Sequence, residues 1–206
     1  IIILADEENM PETDLPNIIC YENLIANHHD VIEWPEFDEN LAASLCYTSG
    51  TTGDPKGVMY SHRSTVLHAM ASIAVDALGI GCESCILPVV PMFHVNAWGT
   101  PFACAMVGSK MVFPGPGMDG ASIWELVDAE KPDLLLGVPT VWLMLLNHMD
   151  AIGKTLESVK KVVVGGAAAP LSMIQRFDEV HDAFLIHAWG MTEMSPIRTV
   201  NNYCPA

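Results

Sequence analysis

The feature that most constrains the fold of this chain is a regular alternation, from residue 41 onward, of short apolar runs with longer amphipathic segments. The short runs are rich in branched residues and predict strands at residues 44–47, 85–90, 110–113, 134–138, 161–164 and 184–187. Strands that alternate with helix-length segments are typical of β-α units around a parallel sheet. The sequence therefore predicts an α/β fold, a mostly parallel β-sheet with flanking helices.

Amphipathic patterns predict the helices. Residues 64–78 carry apolar side chains at i, i+3, i+4 spacing, which predicts a stripe packed on the sheet. The members of this stripe are Val66, Leu67, Met70, Ile73, Ala74, Ala77 and Leu78. A second helix is predicted to begin at Ser122, capped together with Glu125, and to end before Pro132. Residues 140–148 and 171–180 predict two more.

Composition excludes some classes of function. The formal charge of −16, with only nine Lys and Arg in 206 residues, argues against a nucleic-acid-binding surface. Residues 1–40 contain no Lys or Arg and many acids, so we interpret them as an acidic lead-in segment. Residues 41–206 form the predicted α/β region.

The longest uncharged stretch, residues 84–109, is long enough to span a bilayer. Three prolines break it, and His94 and Asn96 would lack polar partners in lipid, so we predict no transmembrane segment. The six cysteines lack the spacing of a small disulfide scaffold, which favours a reduced, cytoplasmic setting.

The strongest chemical signal is YTSGTTGDPKG at residues 47–57. Its glycines allow backbone N–H groups to turn around an anion, and Lys56 adds a positive charge. Its hydroxyl donors are Thr48, Ser49, Thr51 and Thr52. A triphosphate is the ligand that this loop predicts. The spacing of its glycines differs from that of a Walker A loop.

Three further unusual segments follow predicted strands: PMFHVNAW at 91–98, GGAAAP at 165–170 and HAWGMTE at 187–193. In open parallel sheets, ligands bind outside the carboxyl ends of the strands, so these segments and the 48–57 loop are predicted to converge on one edge. Small residues in GGAAAP would let a flat ring lie against the backbone, although a tight turn would have the same sequence.

The segment HAWGMTE supplies a carboxylate that the first loop lacks. Polyphosphate and a carboxylate acceptor repel each other, so a hard divalent cation with oxygen ligands is needed between them. The Glu193 carboxylate and the Thr48 hydroxyl are the predicted metal ligands.

On these motifs the chain resembles the adenylate-forming (AMP-binding) superfamily of acyl-CoA synthetases, luciferases and peptide-synthetase adenylation domains. The resemblance extends over nearly everything after residue 41, and PMFHVNAW is most similar to medium- and long-chain fatty acyl-CoA synthetases. It implies a fragment of the large N-terminal domain of such an enzyme, truncated before the C-terminal domain.

The resemblance also implies roles for the matching residues. Lys56, Thr192 and Glu193 would be catalytic, with Thr192 at the α-phosphate, and Mg²⁺ would be the cation. His94, Val95 and Trp98 would line the acyl pocket, with Trp98 as its gate. The implied nucleotide-binding residues are Thr48, Ser49, Gly50, Thr51, Thr52, Gly53, Lys56, Val95, Trp98, Gly166, Ala167, Ala168, His187, Ala188, Trp189, Gly190 and Thr192. Relatives usually have Tyr in place of Trp189, and either ring can stack on adenine.

The implied reaction joins a carboxylic acid, with a fatty acid favoured, to ATP as acyl-AMP with release of pyrophosphate, followed by transfer to CoA. The residues that hold the ribose, the hinge and the C-terminal catalytic Lys are not matched in this chain, so we expect the 206 residues alone to be inactive. A homodimer is compatible with the resemblance. Three alternatives stay open: a phosphotransferase or ATPase, a non-catalytic ATP-binding module or relic, and a different adenylate-forming acid ligase.

Overall fold

The computed structural model describes residues 1–26, 28, 31–49 and 53–201. The chain divides into two compact units, Ile1–Phe37 and Asp38–Ala206. In the first unit, strands β1 (Ile2–Ile3) and β2 (Ile19–Cys20) pair in parallel, and a 3₁₀ helix (Glu7–Asn9) and helix α1 (Tyr21–Ile25) complete it. The Asp6 carboxylate caps the 3₁₀ helix by accepting from the Asn9 backbone N–H.

The second unit contains a six-stranded sheet with the strand order β10-β9-β8-β7-β5-β6. Its strands are β5 (Cys85–Pro88), β6 (Lys110–Met111), β7 (Leu134–Gly137), β8 (Lys161–Val164), β9 (Phe184–Gly190) and β10 (Ile197–Val200). All neighbours are parallel except β10, which pairs antiparallel with β9. The α/β prediction with a mostly parallel sheet is confirmed.

Both faces of this sheet are buried. Side chains of successive strand residues point to opposite faces, and Leu135 belongs to one apolar cluster whereas Leu134 and Leu136 belong to the other. The central strands therefore read as continuous apolar runs, as is usual for parallel sheets covered by helices on both sides. This burial explains why the short runs in the sequence located these strands.

The first predicted strand lies outside this sheet, which corrects the expectation from the sequence. Strand β3 (Ala42–Thr48) pairs antiparallel with β4 (Lys56–Ser61) in a separate two-stranded hairpin. The link between β3 and β4 is too short for a parallel crossover, which needs a dozen or more residues, so the chain turns back on itself. The 48–57 loop is consequently the tip of a hairpin.

The second unit also contains helices α2 (His62–Ile73), α4 (Thr100–Val107), α5 (Gly120–Glu130), α6 (Pro139–Ile152) and α7 (Leu171–His181), and the single turn α3 (Val95–Trp98). Helices α6 and α7 confirm the predictions at 140–148 and 171–180. In the described residues, no helix is both long enough and apolar enough to cross a membrane.

Two details of the helix predictions are wrong. Helix α2 buries His68, Ala69 and Ser72, whereas Val66 and Met70 of the predicted stripe are exposed. Helix α2 packs against α4, and its buried face consists of two small residues, Ala69 and Ser72, and the imidazole of His68. Helix α5 is capped by Asp119 rather than Ser122, because the Asp119 carboxylate accepts from the backbone N–H groups of residues 121 and 122.

Candidate functional site

A cleft of about 200 Å³ opens at the carboxyl ends of β5, β8 and β9. Its walls come from the three segments that the sequence predicted to converge at this edge. The lining residues are His94, Val95, Trp98, Gly165, Gly166, Ala188, Trp189, Gly190, Met191, Thr192, Pro196 and Ile197. Eight of the predicted site residues, namely His94, Val95, Trp98, Gly166, Ala188, Trp189, Gly190 and Thr192, are thus brought together.

The first wall is a left-handed turn. Four consecutive non-glycine residues have positive φ, at 45° for Val95, 52° for Asn96, 48° for Ala97 and 58° for Trp98. Side chains with a Cβ pay about 1–2 kcal/mol per residue in this conformation. Strained backbone of this kind persists only where the surroundings enforce it, and it is concentrated at functional sites.

Polar contacts hold the left-handed turn in place. The Asn96 amide donates to the Ser44 hydroxyl at 3.0 Å, and the Thr100 hydroxyl donates to the Ala97 carbonyl at 2.8 Å. The Cys46 thiol donates to the Asn96 side-chain oxygen at 3.7 Å. The turn is therefore tied both to α4 and to the β3-β4 hairpin.

The second wall approaches the first without space for a side chain. A Cβ atom on Gly165 would lie 2.7 Å from the Trp98 indole ring, closer than real contacts allow. Trp98 is buried, and the six-membered part of its indole ring lies against Gly165 at the start of the GGAAAP segment. The glycine in this segment therefore makes room for the predicted gate residue.

The third wall carries an exposed ring beside a buried hydroxyl residue. Trp189 is 53% exposed, so part of its indole ring is available to a planar ligand. Thr192 is buried at the start of a 3₁₀ turn, Thr192–Met194, that also contains Glu193. This turn packs against β3 of the hairpin.

One side chain joins the hairpin to this acidic turn, and another joins α2 to the start of β10. The Tyr60 hydroxyl, on β4, donates to the Thr192 carbonyl at 2.5 Å. His68, on α2, accepts the Ile197 backbone N–H at 3.1 Å through Nε2. Burial raises the pKa of Tyr60 to about 12 and lowers the pKa of His68 to about 4, so the phenol keeps its proton and the imidazole stays neutral at physiological pH.

Other predicted site residues do not line the cleft. They are Thr48, Ser49, Gly53, Lys56, Ala167, Ala168, His187 and Glu193. Of the hairpin loop, Gly50, Thr51 and Thr52 lie outside the described residues. His187 is exposed, and its backbone N–H donates to the Asn201 side chain at the edge of the sheet.

The oxygen atoms of Glu193 and Thr48 suit a divalent cation whose remaining ligands come from a bound nucleotide. Within the described ranges, no three His, Cys, Asp or Glu side chains group as a metal site. Mg²⁺ is usually bound by one or two carboxylates with substrate phosphates and water, so a single exposed acid, Glu193, with the Thr48 hydroxyl on the neighbouring strand, fits that mode.

The motifs did not reveal Gly165, Tyr60, His68, Pro196 or Ile197. Gly165 is the first residue of the GGAAAP motif, and its position directly after a buried strand indicates a close approach of the backbone to another group. The other four belong to the hairpin, to α2 and to the antiparallel edge, whose arrangement the strand pattern did not predict.

Nearly the whole chain is similar to proteins of known family. Residues 3–205 match the family described as AMP-binding enzyme. The chain is 52% identical over 200 residues to a medium-chain-fatty-acid–CoA ligase of Ectopseudomonas oleovorans, covering 97% of this chain and 37% of that protein. It is 53% identical over 187 residues to a 3-methylmercaptopropionyl-CoA ligase of Ruegeria lacuscaerulensis, covering 91% of this chain and 35% of that protein.

A solved structure shares the fold. The crystal structure of a long-chain-fatty-acid-CoA ligase from Archaeoglobus fulgidus superposes with a TM-score of 0.79 at 22% identity, covering 90% of this chain and 40% of that one. The chain thus spans little more than a third of the length of the curated relatives that it matches. With the family match extending from residue 3 to residue 205, the chain belongs to the AMP-binding enzyme family.

Proposed function

We propose that the protein carrying this chain activates a carboxylic acid with ATP, forming acyl-AMP and pyrophosphate, and then transfers the acyl group to CoA. The observation that carries this proposal is the cleft itself, in which a gate-like tryptophan, a glycine-rich wall and an exposed indole meet beside the Thr192–Met194 turn. The family match and the CoA-ligase activities in the names of the two relatives support it.

At the nucleotide end, the adenine ring would stack on Trp189 and lie against the backbone from Gly166 to Ala168. This role is supported by the exposed indole and by the absence of bulky side chains in that wall. Ala188 and Gly190 would line the base, with His187 at its margin. Thr192 would donate to the α-phosphate.

At the phosphate end, the hairpin tip supplies positive charge and hydrogen-bond donors. Lys56 would neutralise the β- and γ-phosphates, and the hydroxyls of Thr48 and Ser49, with the backbone around Gly53, would cradle them. Glu193 and Thr48 would hold Mg²⁺, which when bound neutralises phosphate charge and favours pyrophosphate as the leaving group.

At the acyl end, Trp98 would gate the acid, with His94 and Val95 beside it. A carboxylate oxygen attacks the α-phosphorus as the bond to the pyrophosphate oxygen breaks. The CoA thiolate then attacks the acyl carbonyl carbon, and AMP leaves. Positioning and charge stabilisation would provide most of the rate.

The class of acid is a medium-chain fatty acid or a similar short, apolar acid. The two relatives support this range, because they are named for a medium-chain fatty acid and for 3-methylmercaptopropionate at nearly equal identity. We also propose a reducing, cytoplasmic setting, supported by the free thiols of Cys20, Cys46, Cys82, Cys85 and Cys104.

The test is acid-dependent exchange of labelled pyrophosphate into ATP by the full-length protein, with octanoate, 3-methylmercaptopropionate or no acid. We expect exchange only when an acid is present, and AMP and pyrophosphate as the products. ADP and phosphate would instead indicate a phosphotransferase or ATPase. ATP binding without acid-dependent exchange would indicate a non-catalytic module, and either result would overturn the proposal.

A further inference from the structure

The hairpin that bears the 48–57 loop carries a buried hydroxyl, that of Tyr60, which bonds to a residue of the cleft wall. Tyr60 lies on β4, the strand that begins at Lys56, and only 5% of the residue is exposed. Its O–H group donates to the carbonyl oxygen of Thr192, a residue 132 positions away along the chain. A single side chain thus connects the strand of the loop lysine to the turn that contains Glu193.

The acidic turn has little support of its own. Its N-cap residue, Met191, makes no side-chain capping bond, and the turn is only three residues long. Internally, the Met194 N–H donates to the Met191 carbonyl, and the Met191 N–H donates to the Pro196 carbonyl. The Tyr60 hydroxyl is an external anchor on this turn, and it acts on Thr192 itself.

The chemical state of Tyr60 suits a permanent donor. Burial, and then the charges of Cys46 and Glu193, raise its pKa to about 12, so the hydroxyl is protonated throughout the physiological range. The same residue does not line the cleft, so it has no contact there with reacting atoms. A role in proton transfer is therefore not favoured, and the hydrogen bond to Thr192 is the route by which the hydroxyl can affect the reaction.

We propose that Tyr60 is a positioning residue, which sets the Thr192–Glu193 turn relative to the loop lysine by holding the Thr192 carbonyl. The inference rests on the proposed function, since it assigns to Tyr60 the alignment of the two ends of the same nucleotide site. Small displacements of groups that align a reaction can cost large factors in rate, whereas ligand binding is less sensitive to them.

The decisive variant is Tyr60→Phe in the full-length protein, because it removes the hydroxyl and keeps the packed ring. We expect kcat for acid-dependent pyrophosphate exchange to fall roughly tenfold, with KM for ATP changed by less than about twofold. Hydrogen exchange should become faster in a peptide covering residues 189–197 and stay unchanged in one covering β7. Tyr21→Phe, on the partly exposed Tyr21 of the amino-terminal unit, is the matched control and should behave as wild type.

The outcomes are separable. The inference would be overturned if Tyr60→Phe kept the wild-type kcat and the wild-type rate of hydrogen exchange in the peptide 189–197. That result would leave the proposed function intact. Absence of acid-dependent exchange in the wild-type protein would overturn the proposed function, and hydrogen exchange would still test the anchor. Rates are divided by the concentration of active sites from an acyl-adenylate burst, so a fall in kcat that vanishes on this correction also overturns the inference.

Discussion

The six-stranded sheet and the β3-β4 hairpin differ in how far apolar burial holds them in place. Strand residues such as Leu135 and Val163 are completely buried among apolar neighbours on both faces of the sheet. In the hairpin, Leu45, Tyr47 and Met59 are more than half exposed. Apolar packing therefore determines the sheet, whereas hydrogen bonds such as those from Asn96 to Ser44 and from Tyr60 to Thr192 contribute to the position of the hairpin.

This difference separates stability from function. Burial of apolar area is the largest favourable contribution to folding, so substitutions in the sheet layer should mainly lower the free energy of unfolding. The hairpin bears the charged and hydroxyl groups of the proposed phosphate site, so substitutions there should mainly alter the reaction. Three substitutions test this difference between the sheet and the hairpin, in order of decreasing change in free energy.

Trp142→Ala should cause the largest loss of stability. Trp142 is fully buried on α6, and its indole N–H donates to the Val163 carbonyl at 3.1 Å. Truncation leaves a cavity and removes this bond, so the free energy of unfolding should fall by about 4 kcal/mol in urea denaturation. The neighbouring, half-exposed Leu143 is the control, and Leu143→Ala should cost less than about 1 kcal/mol. If both variants lost the same free energy of unfolding, the claim that buried packing determines stability in this layer would be contradicted.

Glu193→Gln should lower activity and leave stability almost unchanged. We expect a loss of about 3 kcal/mol of transition-state stabilisation, measured as kcat/KM for acid-dependent pyrophosphate exchange in the full-length protein. Because Glu193 is exposed, the free energy of unfolding should change by less than about 0.5 kcal/mol. Glu179→Gln, an exposed acid on α7, should leave both quantities unchanged. Near-normal adenylation by Glu193→Gln would refute its role as a metal ligand.

The contact between α2 and the edge strand β10 should respond to pH. Burial lowers the pKa of His68 from 6.5 to about 4, so the unfolded state binds more protons between these values. The contribution to stability is complete above pH 6.5 and is lost as the pH falls towards 4. Between pH 7 and pH 5, His68 should account for a loss of about 2 kcal/mol.

His68→Gln isolates this effect, because Gln keeps an acceptor for the Ile197 N–H and does not titrate. Urea denaturation at several pH values should show a weaker pH dependence for the variant than for the wild type. Burial also lowers the pKa of His181, so part of the dependence should remain in both proteins. If the free energy of unfolding fell by the same amount between pH 7 and pH 5 in His68→Gln as in the wild type, the assignment to His68 would be contradicted.

The sequence was most informative where one local pattern determines the structure. The run at 161–164 predicted β8 without error, since a strand buried on both faces needs apolar residues throughout. The GGAAAP and HAWGMTE motifs also lie together, because GGAAAP follows β8 and HAWGMTE covers the end of the adjacent parallel strand β9 and the turn after it. The roles assigned to Lys56, Thr192 and Glu193 remain predictions.

Local patterns failed where long-range contacts decide. The stripe at Val66 and Met70 obeys helical periodicity, yet close packing of α2 on α4 selected the face with His68 and Ala69. The PMFHVNAW motif contains no glycine at 95–98, so nothing in the sequence indicated a left-handed turn there. That conformation depends on partners distant in sequence, such as Ser44.

The sequence by itself determined the parallel strands, the α/β class and the family, because apolar runs and motif residues are local and can be read in order. Only the tertiary structure decided that the phosphate loop is the tip of a separate hairpin and that Tyr60 anchors Thr192. A hydrogen bond between a side chain and a backbone carbonyl leaves no pattern at the acceptor residue, since every residue has a carbonyl group.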